Sequence, residues 1–133
     1  MDQQKQIEQM VLSCIDTAKA MLDEYGMVVP FGIRSYTDKE DMKMNCPLEN
    51  NPDEGWNEQI ERVVSELKTF VRDENIFATA LVTDLEADGE TGIGLQIETE
   101  LSSVLFVYPY SRKNDEWCIE EPVQTDQLLS TVF

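Results

Sequence analysis

Three carboxylates lie near the ends of two neighbouring predicted strands. Asp84 ends the predicted strand 76–84, and Glu98 and Glu100 lie at the end of the predicted strand 92–100. Carboxylate oxygens are the ligands that Ca²⁺ and Mg²⁺ prefer, so Asp84 and Glu98 on adjacent strands suggest a divalent-metal binder or a carboxylate-based enzyme. Such sites need several converging oxygens, and one residue in five of this chain is acidic. Solvated side chains on a polar sheet face are therefore the favoured interpretation.

Tyr108 and Tyr110 flank a proline at the end of a predicted strand, and Arg112 and Lys113 follow them. These residues predict an aromatic, partly basic rim, and aromatic residues and arginine are enriched at protein interfaces. Closing the core at the end of a strand is the more common role of two such tyrosines. Both interpretations stay open.

Three acids, Glu58, Glu61 and Glu66, recur on the predicted solvent side of the second helix. We expect them to attract a partner with a basic surface, because they share one face of a rigid element. A solvated helix face is the more common role for any one of them.

Cys46 lies beside Pro47 in a predicted loop, where a thiol could react. No flanking cation or helix start lowers its pKa, which favours a structural or incidental cysteine. With Cys14 and Cys118 it makes an odd number of widely spaced cysteines, so we expect three reduced thiols in a cytoplasmic protein.

The sequence lacks residues on which many common enzyme mechanisms depend. The chain has no histidine, which removes Ser-His and Cys-His nucleophile pairs and the usual zinc ligand sets. It also lacks a phosphate-binding loop, a dinucleotide glycine fingerprint, an EF-hand spacing and a paired-cysteine motif. We therefore expect no cofactor and assign no catalytic or metal-binding residue.

The charge of the chain is strongly negative. It has 27 acidic and 10 basic residues, for a net charge of −17. Such a field disfavours binding to nucleic acid or anionic membranes and permits a basic protein partner. No apolar run approaches the roughly 20 residues of a membrane span, and the N-terminus lacks the features of a signal peptide.

The stretch 76–110 predicts three consecutive antiparallel strands, 76–84, 92–100 and 103–110. In the middle strand, apolar residues alternate with Gly92, Gly94, Gln96 and Glu98, which predicts one core face and one solvent face. The third strand is apolar on both faces, which indicates a central position. Asp88-Gly89 is a typical hairpin turn pair between the first two strands.

Helical periodicity predicts two main helices, at 4–25 and 54–73. Gly26 follows the first as a C-terminal cap, and its apolar stripe is more typical of a core helix than of a coiled coil. The second is expected to start at Asn51-Pro52-Asp53-Glu54 and to anchor in the core through Trp56 and Phe70.

The remaining segments predict short elements. The sequence predicts two short strands within residues 27–36 and a loop or frayed strand over residues 37–51. It predicts an edge strand at residues 117–119. Residues 125–133 are either a short helix or extended. The whole chain, 1–133, predicts one α+β domain, in which a single antiparallel sheet of about five or six strands packs with two main helices in a profilin- or roadblock-like αββαβββ order.

Pro30-Phe31-Gly32 after the first helix and Pro109-Tyr110 at the end of a later strand resemble a pattern in small uncharacterised bacterial α+β proteins. This resemblance implies a cytoplasmic bacterial domain with no established activity, in a size range shared with toxin-neutralising immunity proteins. It implies no catalytic residue.

Three functions remain open. We expect a small acidic protein-interaction or regulatory domain, including an immunity-like role, that lacks catalytic activity and binds a basic surface. The first alternative is a carboxylate-based enzyme or divalent-metal binder. The second is a homo-oligomeric structural domain, for example a homodimer, that pairs through an apolar edge or helix.

Overall fold

The computed structural model describes residues 3–49, 53–87, 89–125, 129 and 132–133. Within them the chain forms two α-helices, one short 3-10 helix and seven β-strands. The helices are α1 (Gln3–Tyr25), the 3-10 helix (Pro47–Glu49) and α2 (Trp56–Asp73). The strands are β1 (Phe31–Tyr36), β2 (Met42–Asn45), β3 (Ile76–Ala87), β4 (Glu90–Thr99), β5 (Ser103–Lys113), β6 (Glu116–Ile119) and β7 (Val123–Thr125).

The strands form one antiparallel sheet with the order β2-β1-β3-β4-β5-β6, and β7 also pairs with β5. The predicted α+β class, a single antiparallel sheet packed with two main helices, is confirmed. β3 and β4 lie at the centre and pair from Ala78 opposite Thr99 to Ala87 opposite Glu90. Residues 88 and 89 connect Ala87 to Glu90. Gly89 has φ +79°, which glycine adopts without steric cost.

Helix α1 covers one face of the sheet with the stripe that its sequence predicts. Its buried residues lie three and four apart, so they share one side of the helix. They pack against the inward residues of β1, β3 and β4; the helix residues are Met10, Cys14, Ala18, Met21 and Leu22. Gly26 has φ +73°, and its N–H donates a 2.9 Å hydrogen bond to Leu22 O. The predicted C-terminal cap is therefore present.

Helix α2 covers the opposite face, where Val63 and Leu67 are fully buried near Leu81 of β3. Its close approach depends on Gly32 of β1. A Cβ atom at this position would lie 2.9 Å from Val63 Cγ1 and 2.8 Å from Asn45 Oδ1. The absence of a side chain at residue 32 therefore lets the helix reach the sheet.

The predicted start of α2 is wrong by two residues. The helix begins at Trp56, and Gly55 occupies the N-cap position without a side-chain hydrogen bond. The predicted capping residues Asn51 and Pro52 lie outside the described residues. Glu54 pairs with Arg62 from outside the helix, so its carboxylate does not cap the first turn.

Trp56 and Phe70, the predicted core anchors of α2, are only half-buried. The fully buried positions are the smaller Val63, Val64 and Leu67 between them. The guanidinium of Arg34 lies 3.6 Å from the centroid of the Phe70 ring. Phe70 therefore packs against a cation at the margin of the core.

The polar face of β4 is buried, which contradicts the predicted solvent face. Gln96 and Glu98 are each 1% exposed. The backbone N–H of Leu129 donates to Gln96 Oε1, and that of Val132 donates to Glu98 Oε2, both at 2.6 Å. Periodicity separated the two faces correctly, but the residues that cover the second face come from more than 30 positions further along the chain.

At the sheet margins, the predicted segment 27–36 forms one strand, Phe31–Tyr36, where two short strands were expected. Within the segment 37–51, residues Met42–Asn45 pair with β1 as an edge strand, which agrees with the frayed-strand alternative. β5 lies between β4 and the short strands β6 and β7, which agrees with the predicted central position, but Leu105 is its only buried residue, so the predicted cover on both faces is incomplete. Of the segment 125–133, Thr125 ends β7, and most of the remainder lies outside the described residues.

None of the described helices combines the length and apolar character that crossing a bilayer requires.

Candidate interaction site

The predicted partner-binding residues fall on two opposite faces of the sheet. One group lies on α2, and the other lies on the face of β5 that packs beside α1. The groups are Glu58, Glu61 and Glu66 on the first face and Tyr108, Tyr110 and Arg112 on the second. One compact contact therefore cannot use all six residues.

The three acids of α2 have different environments. Glu58 and Glu61 are exposed, as expected for a solvent face. Glu66 is half-buried, and its Oε1 accepts a 3.2 Å hydrogen bond from Asn45 Nδ2. Glu66 therefore ties α2 to the edge strand β2, and only Glu58 and Glu61 remain candidates for partner contact.

The aromatic row of β5 extends onto β6 through Trp117, which its sequence pattern predicts only as part of an edge strand. Arg112 and Trp117 are directly opposite in the β5–β6 hairpin. The ring centroids of Tyr110 and Trp117 are 5.7 Å apart at 70°, and the Arg112 guanidinium lies 5.3 Å from the Trp117 centroid. The sequence signal for this pairing is Asn114-Asp115, since a two-residue hairpin turn favours residues that tolerate positive φ. Both residues adopt positive φ in the structure.

Tyr110 is held by Asp84. The Tyr110 hydroxyl donates a 2.7 Å hydrogen bond to Asp84 Oδ1, and the Val28 N–H donates to Asp84 Oδ2 at 3.1 Å. Desolvation raises the pKa of Asp84, and these two hydrogen bonds oppose that rise. Burial, followed by the bond to Asp84, raises the pKa of Tyr110, so its hydroxyl keeps its proton. Asp84 therefore links three parts of the chain.

The suggested carboxylate pair is not assembled. Asp84 is opposite Ile93 and Glu98 is opposite Thr79, so the two acids lie on opposite faces of the sheet. Glu98 accepts hydrogen bonds from Ser103 Oγ at 2.9 Å and from the backbone N–H of Val132. Glu100 is exposed in the β4–β5 turn. In the part of the chain that is described, no group of three or more His, Cys, Asp or Glu residues is placed to hold a metal ion.

A groove of about 390 Å³ lies between α1 and β6. Half-buried apolar and aromatic side chains form its floor, and exposed charged side chains form its rim. We call it the aromatic-acidic groove; its residues are Ile15, Asp16, Lys19, Tyr108, Trp117, Ile119, Glu120, Glu121 and Pro122. The rim carries three carboxylates and one ammonium group. Aromatic rings and carboxylates both attract cations, so the groove suits a positively charged group.

A larger cavity, of about 860 Å³, opens at the end of the sheet near the β4–β5 turn. Its lining mixes apolar side chains such as Ile7 and Phe77 with hydroxyl and amide groups. Leu101 at its edge is 95% exposed, and its N–H donates to Thr99 Oγ1, which shapes the turn. This mixture selects no particular ligand chemistry.

All three cysteines are free thiols. Cys14 lies on the buried side of α1, and burial raises its pKa to about 12, so it is a packing residue. Cys46 is half-buried, and its Sγ lies 3.8 Å from Pro30 O.

The aromatic-acidic groove brings Tyr108 and Trp117 together with Asp16 of α1, an acid that no sequence pattern singled out. What it binds must be inferred from these side chains. Comparison of the chain with protein-family models, with curated proteins and with solved structures finds no match.

Proposed function

We propose that this chain is a small, cytoplasmic, non-catalytic interaction or regulatory domain that binds the basic surface of a protein partner. An immunity-like role, in which the domain occupies a basic protein and blocks its action, falls within this proposal.

The observation that carries the proposal is the excess of exposed carboxylates over cations. The chain has 27 acidic and 10 basic residues. Among the described residues, three ion pairs are formed: Arg34–Glu74, Arg62–Glu54 and Arg72–Asp73. These pairs engage three of the few arginines and leave many exposed carboxylates facing solvent.

A surface of this kind steers a basic partner toward the domain. Complementary charge raises the association rate constant, and the effect fades as salt screens the field. Glu58 and Glu61 lie on the exposed side of α2, a helix fixed by its buried valines and leucine, so their charges are held in place. They contribute to steering without having to touch the partner.

Affinity capture with the immobilised chain tests the proposal. Lysate of the source organism would be passed over it at about 50 mM and about 500 mM NaCl, where the Debye length is about 14 Å and about 4 Å respectively. We expect mass spectrometry to identify a protein with a basic surface that is retained at low salt and lost at high salt.

Charge variants of α2 provide the control. The double variant Glu58→Gln, Glu61→Gln should retain less of the partner than the wild type, whereas Lys68→Gln on the same helix should retain at least as much. Retention of no protein, or only of acidic proteins, at low salt would contradict the proposed function.

A further inference from the structure

We infer that the aromatic-acidic groove between α1 and β6 receives an arginine side chain of the partner. This inference rests on the proposed function, because it names the chemical group of a basic surface that the domain would recognise.

The floor of the groove suits a guanidinium group. Tyr108 and Trp117 are half-buried there and present aromatic surface, on which a planar cation stacks favourably. Trp117 already has one such neighbour, because the guanidinium of Arg112 lies 5.3 Å from its ring centroid. This ring therefore already contacts a guanidinium in the folded protein, and Arg112 is not among the residues that line the groove.

The rim supplies the countercharge from two separate elements. Asp16 projects from α1, while Glu120 and Glu121 follow β6 on the other side of the groove. Lys19 of α1 is the one cation in the lining, so its carboxylates outnumber its cations by two. A guanidinium has five N–H donors in a planar fork and can bond to carboxylates on both sides at once.

The groove is built on fixed parts of the fold. Cys14 and Ala18, which flank Asp16 in α1, are fully buried. On the opposite side, the Glu120 N–H donates a 2.8 Å hydrogen bond to Pro109 O, which holds the end of β6 against β5. At about 390 Å³ the groove lies toward the small end of the roughly 300–1,000 Å³ typical of ligand sites, a size suited to one side chain.

Titration with a short arginine peptide, followed by NMR, tests the inference. The probe is Ac-Gly-Arg-Gly-Arg-Gly-NH2, and its control replaces each arginine with citrulline, which keeps the shape and removes the charge. The chain has two tryptophans, so its two indole N–H signals separate the groove residue Trp117 from Trp56 on α2. We expect a saturable shift of the Trp117 signal with the arginine peptide, little shift of the Trp56 signal, and little response to the citrulline peptide.

Two double variants of equal charge locate the effect. Glu120→Gln, Glu121→Gln removes two carboxylates of the groove, and Glu40→Gln, Asp41→Asn removes two exposed carboxylates from the segment between β1 and β2. We expect the first to weaken peptide binding about fivefold or more and the second less than about twofold, because local contacts outweigh the distant field.

Equal weakening by the two variants, or no saturable shift of Trp117, would overturn the groove as the arginine site. Neither result bears on affinity capture of a whole basic protein. Failure of the groove and failure of the proposed function are therefore separate outcomes.

Discussion

Glu98 Oε2 accepts a 2.6 Å hydrogen bond from the backbone N–H of Val132, so a carboxyl group of the central strand β4 holds a distant part of the chain against the sheet. The other oxygen of Glu98 accepts from Ser103 Oγ at 2.9 Å. Gln96, two residues earlier, holds Leu129 in the same way. The sequence suggested that Gln96 and Glu98 are solvated, or that Glu98 binds a metal. In the structure they are buried and hydrogen-bond the backbone of Leu129 and Val132.

Replacing Glu98 with leucine should lower the free energy of unfolding by about 1–3 kcal/mol, because the buried Val132 N–H loses its acceptor. Glu98→Gln should retain most of the stability, since the amide can accept from Val132 and donate to Ser103. Glu100→Leu, at an exposed turn position, is the matched control and should change stability by less than about 0.5 kcal/mol. Chemical denaturation measures these differences, and unchanged hydrogen exchange at Val132 in Glu98→Leu would contradict the assigned contact.

Asp84 should make stability depend on pH. Burial raises its pKa in the folded protein above its ordinary value, so the folded state holds the proton to a higher pH than the unfolded chain does. The stabilising contribution is therefore complete below the ordinary pKa of aspartate and is lost as pH rises through the raised pKa.

The difference in unfolding free energy between wild type and Asp84→Asn isolates this effect from the other carboxylates. We expect the unfolding free energy of wild type to rise relative to that of Asp84→Asn as pH falls from 7 toward 4. Tyr110→Phe should raise the pKa of Asp84 further, because it removes a hydrogen bond that favours the charged carboxylate. A pKa of Asp84 that fell in Tyr110→Phe, measured by carbon-13 NMR of the carboxyl, would refute this account.

Gly32→Ala should destabilise the protein by about 1–3 kcal/mol, because the new methyl group meets Val63 and Asn45 at less than contact distance. Gly55 provides the comparison, since nothing lies within 4 Å of a Cβ there and its φ of −71° suits any residue. Gly55→Ser should leave stability unchanged or raise it by about 0.5 kcal/mol through an added N-cap. Thermal unfolding of both variants checks the prediction; equal melting temperatures would contradict the proposed role of Gly32.

Local sequence patterns were sufficient for the two main helices and for the three long strands β3, β4 and β5. The three-and-four spacing of Met10, Cys14, Ala18 and Met21 predicted the buried side of α1, and Gly26 predicted its end. Period-two alternation predicted which residues of β4 share a face. It could not predict that Gln96 and Glu98 are buried, because the cover comes from residues far away in the chain.

The candidate interaction site could be predicted only in part for the same reason. Tyr108, Tyr110 and Arg112 share a face because they are two residues apart on one strand. Trp117 joins them through the register of a hairpin, and Asp16 reaches the groove only because α1 packs beside β6. These contacts between residues distant in sequence are absent from any local pattern.

The dependence of the association rate constant on salt tests the central claim, binding to a basic surface, most directly. Stopped-flow mixing of the domain with the captured partner would be repeated from about 20 to about 500 mM NaCl. We predict a fall of at least about tenfold in the association rate constant over this range, with a much smaller change in the dissociation rate constant. An association rate constant that does not vary with salt would contradict the claim.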